Sequence, residues 1–375
     1  MTTQANNVML FIDPASHHFQ QDRLFELDKS PLIGDHLHAP YIHLRDWFEK
    51  RGVRVFTADR LVKGEQRAKS NIYVSMGVRT NYQALSRCPD VVLGGFFVME
   101  CPIVEPGLYR EMGQAQHHFK RILSWSDSPA LERFVGGPLR CERFFWPQSF
   151  NQVHEEIWRK EDREFLVVIN ANKLPRLYWQ ELYTERMRAV AWFAERKEIN
   201  LYGKGWNEPS KRMGKTWMPL LLRRSLEKIE AQWEQFRPNP LMTAARQVYR
   251  GPAASKAEAL GNHTFALCYE NMILKGWITE KIFDCFFAGT IPIYWGEPEI
   301  EKYVPPHCFI DRRKFKDYGQ LRDFLKALTP AEIRAYKENA RAFLASPAYF
   351  RFTKEAFTEH FSRIVETDAG ITLPD

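Results

Sequence analysis

Short apolar segments alternate with amphipathic stretches along the first half of the chain. The apolar runs have the length of buried strands, and they lie at residues 8–12, 53–57, 71–75, 91–99 and 121–125. Residues 43–51 have the spacing of an amphipathic helix, which Gly52 is expected to end. Strands that alternate with helices are typical of βαβ units around a parallel sheet. This half is therefore predicted to be an α/β domain of the Rossmann type.

The pattern changes near residue 155, where a charged stretch at 155–163 is predicted to be helical. A second alternation follows, with strands predicted at 165–170, 199–202, 264–268 and 291–294 and helices at 178–197, 223–236, 255–260 and 280–288. Thr329 and Glu332 form a capping box, and Pro330 stands at the first helical position. Together they predict a helix that begins here and runs towards Ala345. We therefore predict a first domain over 1–155, a second over 156–345, and a helical segment over 346–375 that packs back on the first.

The segment 265–296 contains the most informative set of candidate functional residues. It reads as strand, loop, helix and strand, with Glu270 and Asn271 after the first strand and Thr279 at the N-cap of the helix. Glu280 and Lys281 then occupy the first helical turn. Free N–H groups and the positive end of the dipole make a helix N-terminus favourable for anions. With the charge of Lys281, the segment could hold a diphosphate; the alternative is a surface helix that these two residues merely cap.

Composition and charge narrow the classes of partner. The 375 residues carry a net charge of +7, which favours phosphate groups or anionic lipid surfaces, although plain solubility is the alternative interpretation. No long basic tract with interleaved aromatic residues occurs, so we expect no nucleic-acid partner. Aromatic residues make up 14%, enough to provide surfaces on which sugars stack.

Motifs for metal binding and secretion are missing from the sequence. The six cysteines include no CxxC pair and no zinc spacing, which fits a reducing compartment, and no Asp-x-Asp motif points to a metal. The first residues lack a basic stretch followed by an apolar one, and no run of about 18 apolar residues occurs. We expect a cytoplasmic protein, and the basic surplus allows peripheral contact with the inner face of the cytoplasmic membrane.

The same segment, 265–296, resembles the signature of glycosyltransferase family 10, the α-1,3/α-1,4-fucosyltransferases. The signature runs Phe-x-Leu-x-Phe/Tyr-Glu-Asn, then an aromatic residue in a loop, Thr-Glu-Lys, a helix, Pro-Ile/Val and Gly. The chain departs from it at Trp277, where tyrosine is commoner. Met99-Glu100-Cys101-Pro102, after the strand at 91–99, is similar to the family's Glu-Ser-Pro element.

The resemblance implies a GT-B fold, in which two Rossmann-like domains face each other across a cleft. It also implies the site residues. Glu100 would be the general base, Glu280 a second catalytic carboxylate, and Arg186 the phosphate-binding arginine, with Arg188 or Arg176 as alternatives. The implied donor-binding residues are Asn170, Asn172, Lys173, Arg186, Tyr269, Glu270, Asn271, Trp277, Thr279, Glu280 and Lys281.

The implied reaction is inverting transfer of L-fucose from GDP-fucose to a glycan hydroxyl, with no metal and no further cofactor. The default linkage is α-1,3 to GlcNAc or glucose, in a lipopolysaccharide O-antigen or a related oligosaccharide. Two alternatives stay open: a GT-B transferase that uses another GDP-sugar such as GDP-mannose, and a non-catalytic sugar-binding homologue. The sequence leaves the oligomeric state open.

Overall fold

The computed structural model describes residues 7–26, 36–126, 128–176, 179–213 and 239–374, together with six positions between 222 and 232. The chain divides into two compact units. Unit 1 comprises Met1–Asn151 and Pro347–Asp375, and unit 2 comprises Gln152–Ser346. Each unit is built on its own parallel sheet.

Unit 1 contains a six-stranded parallel sheet in the order β2-β1-β3-β4-β5-β6. The strands are β1 (Val8–Asp13), β2 (Arg54–Thr57), β3 (Ser70–Ser75), β4 (Val91–Phe97), β5 (Ile122–Ser124) and β6 (Glu142–Arg143). The residues of β1 are buried throughout, as expected for a central strand covered on both faces. Its helices are α1 (Ala39–Glu49), α2 (Ala58–Val62), α3 (Tyr82–Leu85), α4 (Pro106–Ala115) and α5 (Ser128–Val135).

The C-terminal helix Lys354–Ala369 also belongs to unit 1, because its apolar face packs on this sheet. The rings of Phe97 and Phe361 stack with their centroids 5.2 Å apart. A Cβ atom at Gly94 would lie 2.7 Å from Cγ2 of Ile364. The glycine therefore allows the helix to approach the sheet this closely.

Unit 2 contains a five-stranded parallel sheet in the order β13-β12-β11-β7-β9 and a two-stranded ribbon of β8 and β10. The strands are β7 (Glu164–Ile169), β8 (Lys173–Pro175), β9 (Asn200–Tyr202), β10 (Lys211–Met213), β11 (His263–Tyr269), β12 (Ile291–Trp295) and β13 (Ile310–Asp311). The apolar residues Phe265, Leu267 and Tyr269 alternate along β11 and enter one core cluster.

The helices of unit 2 and the last helix of the chain follow in order. They are α6 (Glu155–Trp158), α7 (Tyr183–Ala194), α8 (Pro240–Gln247), α9 (Lys256–Gly261), α10 (Glu280–Ala288), α11 (Tyr318–Ala327), α12 (Pro330–Leu344) and α13 (Lys354–Ala369). The predicted capping box of Thr329 and Glu332 is present at the start of α12. Gly289 ends α10 in the left-handed conformation, with φ of 67°.

The prediction of a charged helix over 155–163 is wrong beyond the first turn. The helix ends at Trp158, and the guanidinium group of Arg163 donates to the carbonyls of Ile157 and Trp158 at 2.8 and 3.0 Å. The same group donates to Gly289 O at 2.7 Å. The guanidinium group of Arg163 thus bonds the carbonyls that the amide groups of a further helical turn would bond. The helix therefore ends, and the chain continues into β7.

The helix predicted at 178–197 begins later, at Tyr183. Gln180 has a φ of 50°, which is outside the right-handed helical region. Glu181 forms an antiparallel bridge with Met272, and Ile273 N donates to Gln180 O at 2.8 Å. Pairing with the loop after β11 therefore keeps these residues out of the helix. The helix predicted at 223–236 lies mostly outside the described residues.

The predicted α/β class, with Rossmann-like parallel sheets, is confirmed. Within the described part of the chain, every helix is too short or too polar to span a lipid bilayer.

Candidate functional site

The carboxyl ends of β7, β11 and β12 lie at one edge of the unit 2 sheet, because these strands are parallel neighbours. Asn170 follows β7, Glu270 follows β11 and Gly296 follows β12. Ligands of open α/β sheets bind at this edge. The topology thus collects residues from three separate parts of the chain at the position where a ligand is expected.

Glu270 is fully buried, with its carboxylate surrounded by donors. Its Oε1 accepts from the backbone N of Thr279 at 2.9 Å, and Oε2 accepts from the Thr279 hydroxyl at 2.9 Å and from Lys281 Nζ at 3.2 Å. Buried carboxylates are stable only when they are paired and hydrogen-bonded. Glu270 therefore fixes the start of α10 against the end of β11.

The first turn of α10 is open at its N-terminus. Thr279 has the extended backbone of an N-cap residue, as predicted, but its side chain forms no capping hydrogen bond. Its hydroxyl instead donates to Glu270 and accepts from Lys281 Nζ at 2.9 Å. The amide groups of this helical turn thus stand beside a fixed ammonium group, an arrangement that suits an anion.

Lys281 and Lys256 share the carboxylate of Glu280 at this helix. Lys281 Nζ lies 3.6 Å from Glu280 Oε1, and Lys256 Nζ lies 3.8 Å from the same oxygen while it also pairs with Asp284. The neighbouring carboxylates Glu270 and Glu280 raise the pKa of Lys281, although burial works against them. The two ammonium groups are therefore both charged at neutral pH.

Glu280 is held in its ionised form. Burial opposes ionisation, but the charges of Lys281 and Lys256 dominate and lower the pKa of Glu280 to about 2. A carboxylate with so low a pKa is a weak proton acceptor and a good acceptor of hydrogen bonds from hydroxyl groups.

Arg186 is the one of the three candidate arginines that the structure places beside these residues. It is 4% exposed, and its Nη2 donates to the carbonyls of Tyr269 and Glu270 at 2.6 and 3.0 Å. Its Nη1 is buried and has no hydrogen-bond partner among the described residues. Arg188 instead pairs with Glu185 on the surface, and Arg176 N bonds to Met213 O at 3.0 Å.

Asn170 and Asn172 organise the loop that follows β9. Asn170 O accepts from Trp206 Nε1 at 2.6 Å, and Asn172 Nδ2 donates to the carbonyls of Gly205 and Glu208, both at 2.9 Å. Oδ1 of Asn172 is buried and has no partner among the described residues. Lys173, at the start of β8, is exposed.

Tyr269 and Trp277 lie inside the protein. Tyr269 is 1% exposed and packs edge-on against Trp295, while Trp277 is 2% exposed in the loop before α10. Asn271 O accepts from Leu182 N at 3.0 Å, which ties the same loop to the start of α7. These three residues support the loop that connects β11 to α10.

Gly296 lets β12 end directly against Glu270. A Cβ atom at this position would lie 2.4 Å from Glu270 Cγ and 2.8 Å from the Tyr294 hydroxyl. Any larger residue would displace the carboxylate that holds Thr279 and Lys281. The terminal glycine of the segment 265–296 thus has a packing role within unit 2.

Glu100 lies in unit 1, three residues after the end of β4. It is half-buried and lines a pocket of about 240 Å³, whose other walls include Phe19, Tyr41 and Trp146. The backbone carbonyl of Glu100 accepts from the hydroxyl of Tyr109 at 2.5 Å. The structure therefore gives the predicted base a pocket at the carboxyl edge of its own sheet.

Sequence reasoning missed two residues that these sites contain. Lys256 lies 24 positions before Glu280 and reaches it only because α9 and α10 pack together. His38 lines the Glu100 pocket, although it is separated from Glu100 by three strands and three helices. No sequence motif joins either residue to its site; only the fold does.

Comparison with known proteins finds similarity over part of the chain. The model of the family described as glycosyltransferase family 10 (fucosyltransferase) C-term matches residues 242–350. An α-(1,3)-fucosyltransferase of Helicobacter pylori is 35% identical over 119 residues, which cover 30% of this chain and 25% of that protein. An α-(1,4)-fucosyltransferase of Arabidopsis thaliana is 35% identical over 80 residues, which cover 21% and 20%.

The chain thus spans between a fifth and a quarter of the length of these curated relatives. A solved glycosyltransferase of Rickettsia africae has a similar fold, with a TM-score of 0.52 and 8% identity over 96% of this chain and 98% of that one. The matched family segment, 242–350, contains α8 to α12 and the whole Glu270–Lys281 cluster. Residues 242–350 are therefore similar to the C-terminal domain of glycosyltransferase family 10, the fucosyltransferases.

Proposed function

We propose that the protein transfers L-fucose from GDP-fucose to a hydroxyl group of a glycan acceptor. The observation that carries this proposal is the N-terminus of α10, where Glu270 fixes Thr279 and Lys281 within the segment that matches the fucosyltransferase family. The relatives of this segment are named as α-1,3- and α-1,4-fucosyltransferases.

The proposed donor site holds the diphosphate of GDP-fucose at α10. Its supports are the open amide groups of the first turn, the ammonium group of Lys281 and the unpartnered Nη1 of Arg186. Charged donors that are already fixed in position stabilise a phosphate leaving group without reorganisation. We propose that these groups make a metal ion unnecessary.

The proposed chemistry is a single displacement with inversion. The acceptor oxygen attacks the anomeric carbon of fucose, the bond from that carbon to the β-phosphate oxygen breaks, and the hydroxyl proton passes to Glu100. Glu280 is ionised and poorly basic, which fits a partner for donor hydroxyl groups better than a proton acceptor. Asn170, Asn172 and Lys173 would border the same donor site.

The finer points of the proposal concern the acceptor. We propose an α-1,3 linkage to GlcNAc or glucose, in a lipopolysaccharide O-antigen or a related oligosaccharide. The net charge of +7 supports a place at the inner face of the cytoplasmic membrane. Co-sedimentation with anionic and neutral vesicles checks this last point, since only the anionic ones should retain the protein.

The test of the function is a panel of sugar nucleotides, with products analysed by mass spectrometry and NMR against Gal-GlcNAc-type acceptors. GDP-fucose should be consumed, and GDP-mannose should compete only through its GDP portion. The Glu100→Gln variant should bind GDP-fucose normally and lose transfer. Transfer of a different sugar, or normal transfer by Glu100→Gln, would contradict the proposal.

A further inference from the structure

Lys256 is a charged residue beside the proposed donor site, and the proposed chemistry gives it no role. It lies in the first turn of α9, and its side chain is 25% exposed. Its ammonium group lies 3.8 Å from Glu280 Oε1 and also pairs with the carboxylate of Asp284. Both carboxylates belong to α10, on which α9 packs. One lysine of α9 therefore meets two carboxylates near the start of α10.

The short helix α9 is fixed at both ends. At its N-terminus the side chain of Ser255 accepts from Glu258 N at 3.2 Å. At its C-terminus Leu260 O accepts from the hydroxyl of Thr290 at 2.7 Å, and Thr290 lies between α10 and β12. Because both bonds stabilise α9 in this place, the fold sets the position of Lys256 relative to α10.

Glu280 has two counter-charges at nearly equal distances from one oxygen. Lys281 Nζ lies 3.6 Å and Lys256 Nζ 3.8 Å from Oε1 of Glu280. Burial lowers the pKa of Lys256, but the carboxylates of Asp284 and Glu280 outweigh it and raise this pKa above its ordinary value. Both lysines are therefore charged, although one ammonium group would neutralise Glu280.

A diphosphate at the N-terminus of α10 would change how these charges pair. Lys281 is already paired with two carboxylates, since it also bonds Glu270 Oε2 at 3.2 Å. A phosphate oxygen at Lys281 would compete with Glu280 for the ammonium group and would bring a second negative charge close to Glu280. With Lys281 as its single cation, Glu280 would retain that lysine and repel the ligand. Lys256 supplies the further cation that Glu280 then needs.

The position of Lys256 fits this indirect role better than contact with the phosphates. The shorter of its two ion pairs is with Asp284, which lies one helical turn further from the N-terminus of α10 than Glu280. The free amide groups of a helix lie in its first turn. Lys256 is therefore directed along α10, away from the amide groups that would face the diphosphate.

We propose that Lys256 is a positioning residue of the donor site, which neutralises Glu280 so that Lys281 is available to the diphosphate. The inference rests on the proposed function, because it takes the N-terminus of α10 as the site of the diphosphate. Lys256 acts through Glu280 and does not touch the donor. Its effect concerns the nucleoside diphosphate portion of the donor and should appear with GDP alone.

The test measures GDP binding by calorimetry. Lys256→Met keeps a side chain of similar length without the charge, and should weaken GDP binding about ten-fold. The same substitution in a Glu280→Gln background should weaken it far less, because the competing carboxylate is then absent. Lys256→Arg keeps the charge and should bind GDP nearly normally. Lys160→Met is the matched control, since it removes a charge that pairs with Glu258 on the same helix, and should change nothing.

Asp284→Asn separates the proposed role from a merely structural one. This variant breaks the other ion pair of Lys256 but leaves its charge beside Glu280. GDP binding should therefore be unchanged or tighter. Weaker binding in Asp284→Asn would show that Lys256 matters only through the contact between α9 and α10, and this result overturns the inference even where Lys256→Met does not fold.

Two further results overturn the inference. One is normal GDP binding by folded Lys256→Met, and the other is an equal loss with and without Glu280→Gln, which would mean that Lys256 does not act through Glu280. Failure of the proposed function looks different: GDP binding then shows the predicted pattern, but fucose is not transferred. An unchanged protein that does not bind GDP would contradict both proposals.

Discussion

At the scale of single residues, Glu270 organises the proposed donor site. Its carboxylate is fully buried, and it binds Thr279 and Lys281, which lie 9 and 11 positions further along the chain. The sequence places all three in one segment and predicts the anion site. It does not show that the Thr279 hydroxyl donates to Glu270, because this hydrogen bond depends on the conformation of the loop 271–278.

The Thr279 hydroxyl gives a prediction for stability. Thr279→Val removes a group that donates to Glu270 and accepts from Lys281, and should lower the free energy of unfolding by about 1–3 kcal/mol. Thr279→Ser keeps the hydroxyl and is the matched control. Urea unfolding measures both variants; a loss in Thr279→Ser as large as the loss in Thr279→Val would show that the hydroxyl group is not what stabilises the protein here.

A second prediction decides between the arginines. Arg186→Lys should weaken GDP binding about ten-fold or more, because the single nitrogen of lysine cannot bond the strand-end carbonyls and also place a donor at the separate position of Nη1. Arg188→Ala removes an equal charge from the exposed partner of Glu185 and should leave binding unchanged. Calorimetry with GDP compares them. The reverse order would return the phosphate role to Arg188.

At the scale of elements, most strands of both sheets and the helices near the proposed donor site could be predicted, because strand-length apolar runs and capping residues are local signals. The strands β6 and β13 were not predicted, since two residues are too short for such a run. Boundaries failed where distant groups intervene. Arg163 ends α6 after one turn by bonding its carbonyls, and pairing of Glu181 with Met272 delays α7. Only the fold brings Glu181 to Met272, and only the fold brings Gly289 O to Arg163, which it holds at the end of α6.

The N-terminus of α10 gives a prediction for pH. The folded-state pKa of Glu280 is about 2, below its ordinary value near 4.5, so ionised Glu280 stabilises the fold above pH 4.5. This contribution is lost as the pH falls through the folded-state pKa. The unfolding free energy should therefore drop less steeply between pH 5 and 2 in Glu280→Gln than in the unchanged protein. Urea unfolding at stepped pH measures it, and parallel curves would show that Glu280 has no such coupling.

At the scale of the whole molecule, each of the two units has its candidate functional residues at the carboxyl edge of its own parallel sheet. The α/β class and the candidate residues Glu100, Glu280 and Lys281 could be derived from the sequence. Lys256 and His38 could not, since each joins its site through tertiary packing and no motif marks it.

The proposed transfer of fucose should need no divalent metal, because in the proposed donor site Lys281, Arg186 and the start of α10 would supply the positive charge for the leaving group. Transfer rates measured with excess EDTA should equal those measured with added Mg²⁺ or Mn²⁺. A rate that falls with EDTA and returns with either metal would show that these groups are insufficient.

The most direct test of the donor site is calorimetric titration of GDP-fucose into the unchanged protein, Lys281→Gln and Lys302→Gln. Glutamine at 281 can still donate to Glu270 but lacks the charge, whereas Lys302 pairs with Glu299 on the surface. The proposed site predicts affinity lower by about 10- to 100-fold in Lys281→Gln and unchanged affinity in Lys302→Gln. Unchanged affinity in a folded Lys281→Gln would contradict a diphosphate site at the N-terminus of α10.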